Sequence, residues 1–366
     1  MISDSGGRFR VVAMFSKKPS FSAIGASLPS GGGLSLGPLA NPAIGAAGAG
    51  LLFLVAAAGL IATTGDPRAG APRVRVALGH GAALPASPIA ADALAASDAP
   101  VNLGPGQPLA PAPIAGLTSA GPGGLLPVIA PDGRTPAQAY ARPFADNGKP
   151  KIALVIGGLG LNAKATRQAI EELPPEVTLS FVPYAEGLQG WIDLARANGH
   201  EVLLEAPMEP LDYPQNDPGP YTLMARDPAP ETTKRMEWLL SRATGYFGVT
   251  NYLGGRFLTS DQAMSTFSGV LRQRGLAFVD DGSAAGRGSG AGRASADRII
   301  DQDLDDQSIA EQLAALETSA NQKGQALGSG FSYPVTLQAV VDWAAGLSAR
   351  GLQLAPASAV MIRRAP

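Results

Sequence analysis

The sequence predicts an α/β fold: a parallel sheet of about seven strands that closes like a barrel rather than staying open, preceded by a single transmembrane helix and a disordered spacer rich in proline, alanine and glycine. Three observations predict this arrangement. An uncharged apolar segment lies near the N-terminus, a stretch without a hydrophobic period follows it, and short apolar runs alternate with helical segments after Lys149. Alternating strands and helices are typical of a parallel sheet, and the number of strands favours closure into a barrel.

The apolar segment at residues 43–64 is the predicted membrane anchor. It is long enough to cross a hydrocarbon core of ~30 Å. Residues 1–42 form a tail with basic residues between Arg8 and Lys18, and this charge predicts that the tail stays in the cytoplasm. A cleavable signal peptide is the alternative, but its apolar region usually has ~7–15 residues close to the start. We therefore expect a single-pass inner-membrane protein whose C-terminal domain lies on the periplasmic side.

Residues 65–148 are the predicted disordered spacer. Segments such as PGQPLAPAPIAG bury too little apolar surface to offset chain entropy. Trp191, Trp238 and Trp343 all lie later in the chain, and tryptophan marks where a packed core can form. The folded domain is therefore expected at residues 149–362.

Apolar runs and helical segments alternate through this domain in a regular order. The first helix is opened by Asn162 as a plausible N-cap, and a proline-rich loop follows the third strand. QALGSG precedes the last helix and LQLAPAS closes the chain. The predicted strands are Lys151–Ile156, Val177–Tyr184, Glu201–Pro207, YFGVTNYLG, LAFVDDG and RIIDQD, and the further predicted helices are Glu186–Asn198, Pro230–Thr244, Asp261–Arg274, Asp306–Lys323 and Pro334–Arg350.

Unusual residues follow the apolar runs at their C-terminal edges. In parallel α/β folds these edges form the mouth at which ligands bind, so the sequence predicts a site there. Ordinary turns also favour glycine, proline, asparagine and aspartate, which is the structural alternative. The residues concerned are Gly157-Gly158, Pro183-Tyr184, Glu205-Ala206-Pro207, Asn251-Tyr252, Asp280-Asp281 and Ser329-Gly330.

The motifs of this region resemble those of the divergent polysaccharide deacetylase family. KIALVIGGLGLN, VTLSFVPYAEGL, GHEVLLEAPMEP, NDPGPYTL, GYFGVTNYLGGRF and RGLAFVDDGS occur in the family's order and spacing. The resemblance covers roughly Lys151 to Met361 and implies a NodB-like distorted (β/α) barrel related to carbohydrate esterases. Those enzymes remove acetyl groups from glycans with a bound divalent metal, which polarises the amide carbonyl and activates water while an aspartate acts as general base.

The sequence departs from the family pattern at the positions that serve the metal. Gly157 and Gly158 stand where the first motif carries two aspartates. Glu205 replaces a histidine on the third strand, and Tyr252 replaces the histidine of NHxGS. The late motif holds 329–331 without its histidine. The resemblance therefore implies the fold more firmly than the activity.

Few groups remain that could bind a transition metal. The chain has no cysteine and two histidines. His80 lies in the predicted spacer, and His200 precedes its strand, so we expect it to pack or cap at the opposite end of the barrel. Four carboxylates could hold a hard cation such as Ca²⁺ or Mg²⁺, or supply an acid/base pair. They belong to Glu205, Glu209, Asp280 and Asp281, of which Glu209 could instead fix its loop.

Two functional hypotheses and one structural one follow. The first is a glycan-binding or scaffolding domain that kept the barrel, lost the metal chemistry and needs no cofactor. The alternative is an active carbohydrate hydrolase, a deacetylase of N-acetylated glycans, with Glu205, Asp280 and Asp281 as catalytic residues and with a divalent metal if activity is retained. The third is a purely architectural envelope protein.

The partners expected from the sequence are a cell-envelope glycan or an envelope protein, and the membrane through residues 43–64. The net charge of −2 offers no basic face for nucleic acid. The predicted substrate-binding residues are Gly157, Gly158, Tyr184, Asn251, Tyr252 and Arg256.

Overall fold

The computed structural model of this chain describes residues 107–284 and 286–363. The predicted tail, the predicted anchor at 43–64 and the first part of the predicted spacer lie outside these residues. Within the two described ranges, no helix is long and apolar enough to cross a membrane.

Strands and helices alternate through the domain, as predicted. The strands are β1 Thr118–Gly121, β2 Gly124–Pro127, β3 Lys151–Leu159, β4 Thr178–Phe181, β5 Val202–Met208, β6 Gly248–Leu253, β7 Ala277–Asp280, β8 Gly292–Ser295, β9 Arg298–Ile299, β10 Gln325–Phe331, β11 Gln353–Ala355 and β12 Ile362–Arg363. The helices are α1 Pro136–Ala139, α2 Ala163–Glu172, α3 Leu188–Ala197, α4 Ala229–Leu240, α5 Asp261–Arg274, α6 Asp306–Lys323 and α7 Pro334–Ala345.

Ten strands of the described chain form one sheet, in the order β12-β8-β7-β6-β5-β4-β3-β10-β9, with β11 also paired to β3. The neighbours from β8 to β9 along this path are all parallel, and β12 joins antiparallel. The parallel α/β prediction is therefore confirmed. One extended segment supplies both edges of the parallel part, because β8 pairs with β7 and β9, two residues further on, pairs with β10. The parallel strands form a half-barrel.

Several helix boundaries show how local sequence sets the elements. Asn162 caps α2 by accepting a hydrogen bond from the backbone N–H of Ala165 at 3.0 Å. Helices α5 and α6 have the predicted bounds, and each ends at a glycine with positive φ, Gly275 and Gly324, the usual C-terminal stop. Helix α7 ends at Ala345, five residues before the predicted Arg350.

Residues 107–148 belong to the folded domain, so the predicted disordered spacer is wrong for this stretch. The segment forms the β1–β2 hairpin and the short helix α1, which Thr135 and Gln138 close with a capping box. Leu117 and Tyr140 are buried in a cluster with residues of the half-barrel such as Phe247. Burial of these side chains stabilises the segment, although its proline-rich composition predicts no packed core.

Arg196 of α3 fixes this N-terminal segment to the sheet. Its buried guanidinium donates to the backbone oxygen of Ala110 through Nε and Nη2, at 3.1 and 2.8 Å. Its Nη1 donates to the oxygens of Tyr140 and Gly245, both at 3.0 Å. Burial lowers the pKa of Arg196 to about 10, so the group stays charged at neutral pH. One side chain therefore joins three separate parts of the chain.

Glu201, just before β5, makes a second connection. Its carboxylate accepts from the backbone N–H of Arg142 at 2.9 Å and from the hydroxyl of Thr178 at 2.8 Å. It also accepts from the hydroxyl and the backbone N–H of Ser358, at 2.6 and 3.0 Å. Burial raises the pKa of this carboxyl, although these hydrogen bonds oppose the effect. Glu201 thus holds both ends of the domain at the base of the half-barrel.

The strands bury both faces, as parallel strands do. On β3, Ile152 and Leu154 pack into the larger cluster with the helices. Ala153 and Val155 point to the other face and pack against the N-terminal segment. This two-residue alternation decides which side chains after each strand can share a site.

Candidate functional site

A cleft of about 680 Å³ opens at the carboxyl ends of the central strands. Residues from β3, β5, β6 and β10 line it, together with the loop between β5 and α4. The lining is Gly158, Leu161, Asn162, Ala165, Val182, Pro183, Tyr184, Glu205, Pro207, Asp217, Pro218, Tyr252, Leu253, Phe331, Ser332, Tyr333 and Pro334.

Glu205 is the buried carboxylate of this cleft. Its Oε1 accepts a hydrogen bond from the backbone N–H of Gly158 at 2.6 Å and another from the hydroxyl of Ser180 at 2.9 Å. Its Oε2 is buried without a hydrogen-bond partner. The side chain is therefore held firmly through one oxygen, and the other has no partner among the described residues.

Gly157 and Gly158 form the cradle of this carboxylate. A Cβ on Gly157 would lie 2.8 Å from both Glu205 Oε1 and Ser180 Oγ, closer than real side chains approach. Gly158 has φ of +72°, which favours glycine, and this conformation aims its N–H at the carboxylate. The two glycines and the glutamate therefore depend on one another: a side chain at 157 would occupy the space that Glu205 uses.

Burial raises the pKa of Glu205 from 4.5 to about 7, and the hydrogen bonds from Gly158 and Ser180 only partly offset it. Desolvation disfavours the charged form of a carboxyl. A group that changes charge near neutral pH can accept or donate a proton during a reaction, or respond to a charged ligand.

Aromatic rings supply much of the apolar wall. Tyr252 meets Phe331 edge to face, with the ring centroids 6.1 Å apart, and Phe331 lies 6.3 Å from the ring of Tyr333. Burial and the neighbouring Glu205 raise the pKa of Tyr252. Tyr184 also lines the cleft, and its hydroxyl donates to the backbone oxygen of Pro220. The cleft thus combines one buried carboxyl with several aromatic faces.

Asp301, which follows β9, positions one of these rings. Its Oδ2 accepts from the backbone N–H of Phe331 at 2.7 Å and from the hydroxyl of Thr336 at 3.0 Å. The carboxylate therefore fixes the end of β10, where Phe331 turns into the cleft.

Asp280 and Asp281, the other predicted catalytic residues, are not among the residues that line the cleft. Asp280 forms a 2.5 Å ion pair with Arg293 and accepts from Ser295 at 2.8 Å. It falls on the same face of β7 as Phe278, which packs with the helices, because side chains two residues apart share a face. Asp281 accepts from the backbone N–H of Ser283 at 2.9 Å and closes a turn.

Asn251 and Arg256, two of the predicted substrate-binding residues, also lie outside the lining of the cleft. The amide of Asn251 donates to the oxygen of Leu253 at 2.9 Å and accepts from the backbone N–H of Asp281 at 3.1 Å. Arg256 Nη2 donates to the oxygen of Leu211 at 2.9 Å. Both side chains brace loops around the site. Three of the six predicted binding residues line the cleft, namely Gly158, Tyr184 and Tyr252. Gly157 does not line it, but a Cβ at this position would lie 2.8 Å from Glu205 Oε1.

The remaining polar candidates have structural partners. Glu209 Oε2 accepts from the backbone N–H of Ala225 at 2.7 Å, which fixes the loop between β5 and α4. His200 lies at the start of β5, away from the cleft, as predicted. Its ring nitrogens lie 2.8 and 3.1 Å from the backbone oxygens of Val177 and Ile170, and burial lowers its pKa.

The donors present do not fit the metal centre of a carbohydrate deacetylase. Such a centre needs about three converging histidine or carboxylate ligands. The described ranges contain no group of three histidine, cysteine, aspartate or glutamate residues placed to hold a metal ion. Glu205 already uses one oxygen within the protein, and Gly157, Gly158 and Tyr252 bring no metal-binding side chain of that kind.

A half-barrel of parallel strands with a cleft at their carboxyl ends fits the NodB-like fold that the motifs imply. The model of the divergent polysaccharide deacetylase family matches residues 154–361, more than half of the chain. The chain belongs to this family, which confirms the resemblance found in its motifs.

Two proteins are similar to this chain over much of its described part. The crystal structure of an uncharacterized protein from Agrobacterium tumefaciens C58 is 38% identical, with a TM-score of 0.62, and the match covers 65% of this chain and 99% of that one. An uncharacterized protein from Haemophilus influenzae is 24% identical over 194 residues, which are 51% of this chain and 68% of the relative.

Sequence reasoning missed Ser180, which donates to Glu205, and lining residues such as Asp217 and Tyr333. Ser180 was detectable as a polar residue two positions after Thr178 in an otherwise apolar strand, which places both on one face. Asp217 and Tyr333 lie in loops, and no local pattern predicts that these loops fold over the strand ends.

Proposed function

We propose that this domain is a glycan-binding member of its family in which a buried glutamate has replaced the metal-dependent centre. The observation that carries the proposal is the joint geometry of Gly157, Gly158 and Glu205. A carboxylate occupies the space that a side chain at 157 would need, so the family's first aspartate and this glutamate exclude each other sterically.

The aromatic lining supports a sugar as the ligand. Sugar rings have apolar C–H faces and polar edges, and binding clefts commonly combine aromatic walls with a few placed polar groups. Tyr252, Phe331 and Tyr333 supply such a wall, and Glu205 supplies a polar group below it. A cleft of about 680 Å³ is large enough for a small oligosaccharide.

The cellular setting remains a proposal that rests on sequence alone. Residues 43–64 would anchor the chain in the inner membrane, with the domain on the periplasmic side. An envelope glycan would then be the accessible ligand, and an envelope protein is the other expected partner.

A second candidate function is hydrolysis of an N-acetylated glycan. The pKa of about 7 for Glu205 favours it, because a carboxyl that titrates near neutral pH suits general acid–base catalysis. In this scheme Glu205 would take a proton from the water that attacks the amide carbonyl and return it to the nitrogen as the C–N bond breaks, which releases acetate and a free amine. Asp280 does not assist, since Arg293 and Ser295 engage its carboxylate.

Replacement of Tyr252 tests the glycan-binding proposal. We expect the full chain to bind at least one of three tetrasaccharides, built from N-acetylglucosamine, glucosamine or glucose, in a calorimetric titration. Tyr252→Ala should weaken that binding by about tenfold, because loss of a stacked aromatic ring costs about 1–1.5 kcal/mol. Tyr252→Phe keeps the ring and should retain binding within about threefold. If none of the three sugars binds at millimolar concentration, the proposal is wrong.

A further inference from the structure

The charges in the cleft all have one sign. Its titratable acidic residues are Glu205 and Asp217, and none of its lining residues within the described chain is lysine, arginine or histidine. One oxygen of Asp217 accepts from the backbone N–H of Gly219 at 2.9 Å, and the residue is exposed at the rim. The electrostatic potential of the cleft therefore favours a cation.

Glu205 Oε2 marks the place for a hydrogen-bond donor. It is a buried carboxylate oxygen with no donor against it among the described residues, whereas Oε1 has two. Buried polar atoms are normally paired, so an unpaired one on a residue that lines a cleft points to a ligand donor. A donor that carries positive charge would gain the most.

The aromatic rings next to Glu205 favour the same kind of group. Ammonium ions bind against the faces of tyrosine and phenylalanine through the electrons of the ring. Tyr252 and Phe331 both line the cleft with Glu205, and Tyr252 is close enough for the charge of Glu205 to influence its pKa. A neutral acetamido group would gain neither the ion pair nor the cation–π contact.

Resting on the glycan-binding function, we propose that the cleft selects sugars that carry a free primary ammonium group, that is de-N-acetylated hexosamines, over their N-acetylated forms. The ammonium donates to Glu205 Oε2 and lies against the aromatic wall. Such a ligand is the product of amide hydrolysis on an N-acetylated glycan. The domain would thus recognise glycan that a separate deacetylation reaction has already modified.

The test compares matched ligands on the full chain. We expect the glucosamine tetrasaccharide to bind about tenfold or more tightly than the N-acetylglucosamine tetrasaccharide at neutral pH, because a charge-assisted hydrogen bond is stronger than a neutral one. Glu205→Gln should reduce the ratio of the two affinities to about one. The control Glu311→Gln, at an exposed position on α6, should leave the ratio as it is.

The other possible results separate the amine preference from the glycan-binding function. Equal or tighter binding of the N-acetylated sugar contradicts the amine preference but leaves glycan binding intact. Binding of the diamine putrescine as tight as that of the glucosamine sugar shows that the sugar is not recognised, and also contradicts the preference. If Glu205→Gln still prefers the glucosamine sugar, Glu205 is not the group that recognises the ammonium. Failure of every sugar to bind contradicts the proposed function itself.

Discussion

Replacing Glu205 with glutamine is expected to stabilise the protein by about 3 kcal/mol above pH 7 and to change its stability little below pH 4. Burial raises the pKa of Glu205 from 4.5 to about 7. Each pKa unit of difference between the folded and unfolded states corresponds to about 1.4 kcal/mol. The folded state therefore carries an unfavourable charge at alkaline pH, and a neutral side chain of the same shape avoids it.

The pH window follows from the direction of the shift. Between pH 4.5 and about 7 the folded protein keeps the proton of Glu205 that the unfolded chain has lost. The free energy of unfolding falls with rising pH wherever the folded state binds more protons than the unfolded chain. Glu205 therefore lowers the free energy of unfolding progressively as the pH rises through this window.

Chemical denaturation of the full chain and of Glu205→Gln at several pH values measures the effect. The control Glu311→Gln should follow the parent at each pH. A variant whose advantage is the same at acidic and alkaline pH would show that Glu205 does not titrate abnormally in the folded protein.

Replacing Arg196 with alanine is expected to lower the free energy of unfolding by about 4 kcal/mol. The substitution removes the donors of the backbone oxygens of Ala110, Tyr140 and Gly245. Tyr140 and Gly245 are buried, and each buried acceptor left without a partner costs about 1–3 kcal/mol. It also removes a guanidinium that lies 5.1 Å from the ring of Tyr140.

Limited proteolysis and denaturation together measure this effect. Residues 107–142 should become sensitive to protease in Arg196→Ala while the strands of the half-barrel stay protected longer. Arg226→Ala, at an exposed position, is the matched control and should behave like the parent. An unchanged cleavage pattern in Arg196→Ala would mean that the N-terminal segment is held without this side chain.

The order of strands and helices was predictable because apolar runs and capping residues are local signals. Asn162 and the helices α5 and α6 illustrate this, since each end is set by neighbouring residues. The role of residues 107–148 was not predictable, because their order depends on distant partners. Arg196, Glu201 and Phe247 hold that segment, and nothing in its own composition reveals them.

Alternation along the strands explains which of the predicted site residues reach the cleft. Glu205 on β5 and Tyr252 on β6 occupy positions that face the inside of the half-barrel, so both line the cleft. Asp280 follows Phe278 on the outward face of β7, and this face could have been read from the sequence. The carboxyl ends of parallel strands do meet at one edge of the sheet. Only every second residue of a strand, however, faces the same side of that sheet.

Acetate release from an N-acetylglucosamine tetrasaccharide, measured with and without added Zn²⁺, tests the central claim most directly. We expect no release above background in either condition, because Glu205 occupies the space that a side chain at position 157 would need and the described residues include no group of three side chains placed to hold a metal ion. The same preparation should bind a glycan in the titrations. Acetate release that requires Zn²⁺ and is abolished by a chelator would contradict the claim that this cleft has exchanged metal chemistry for recognition.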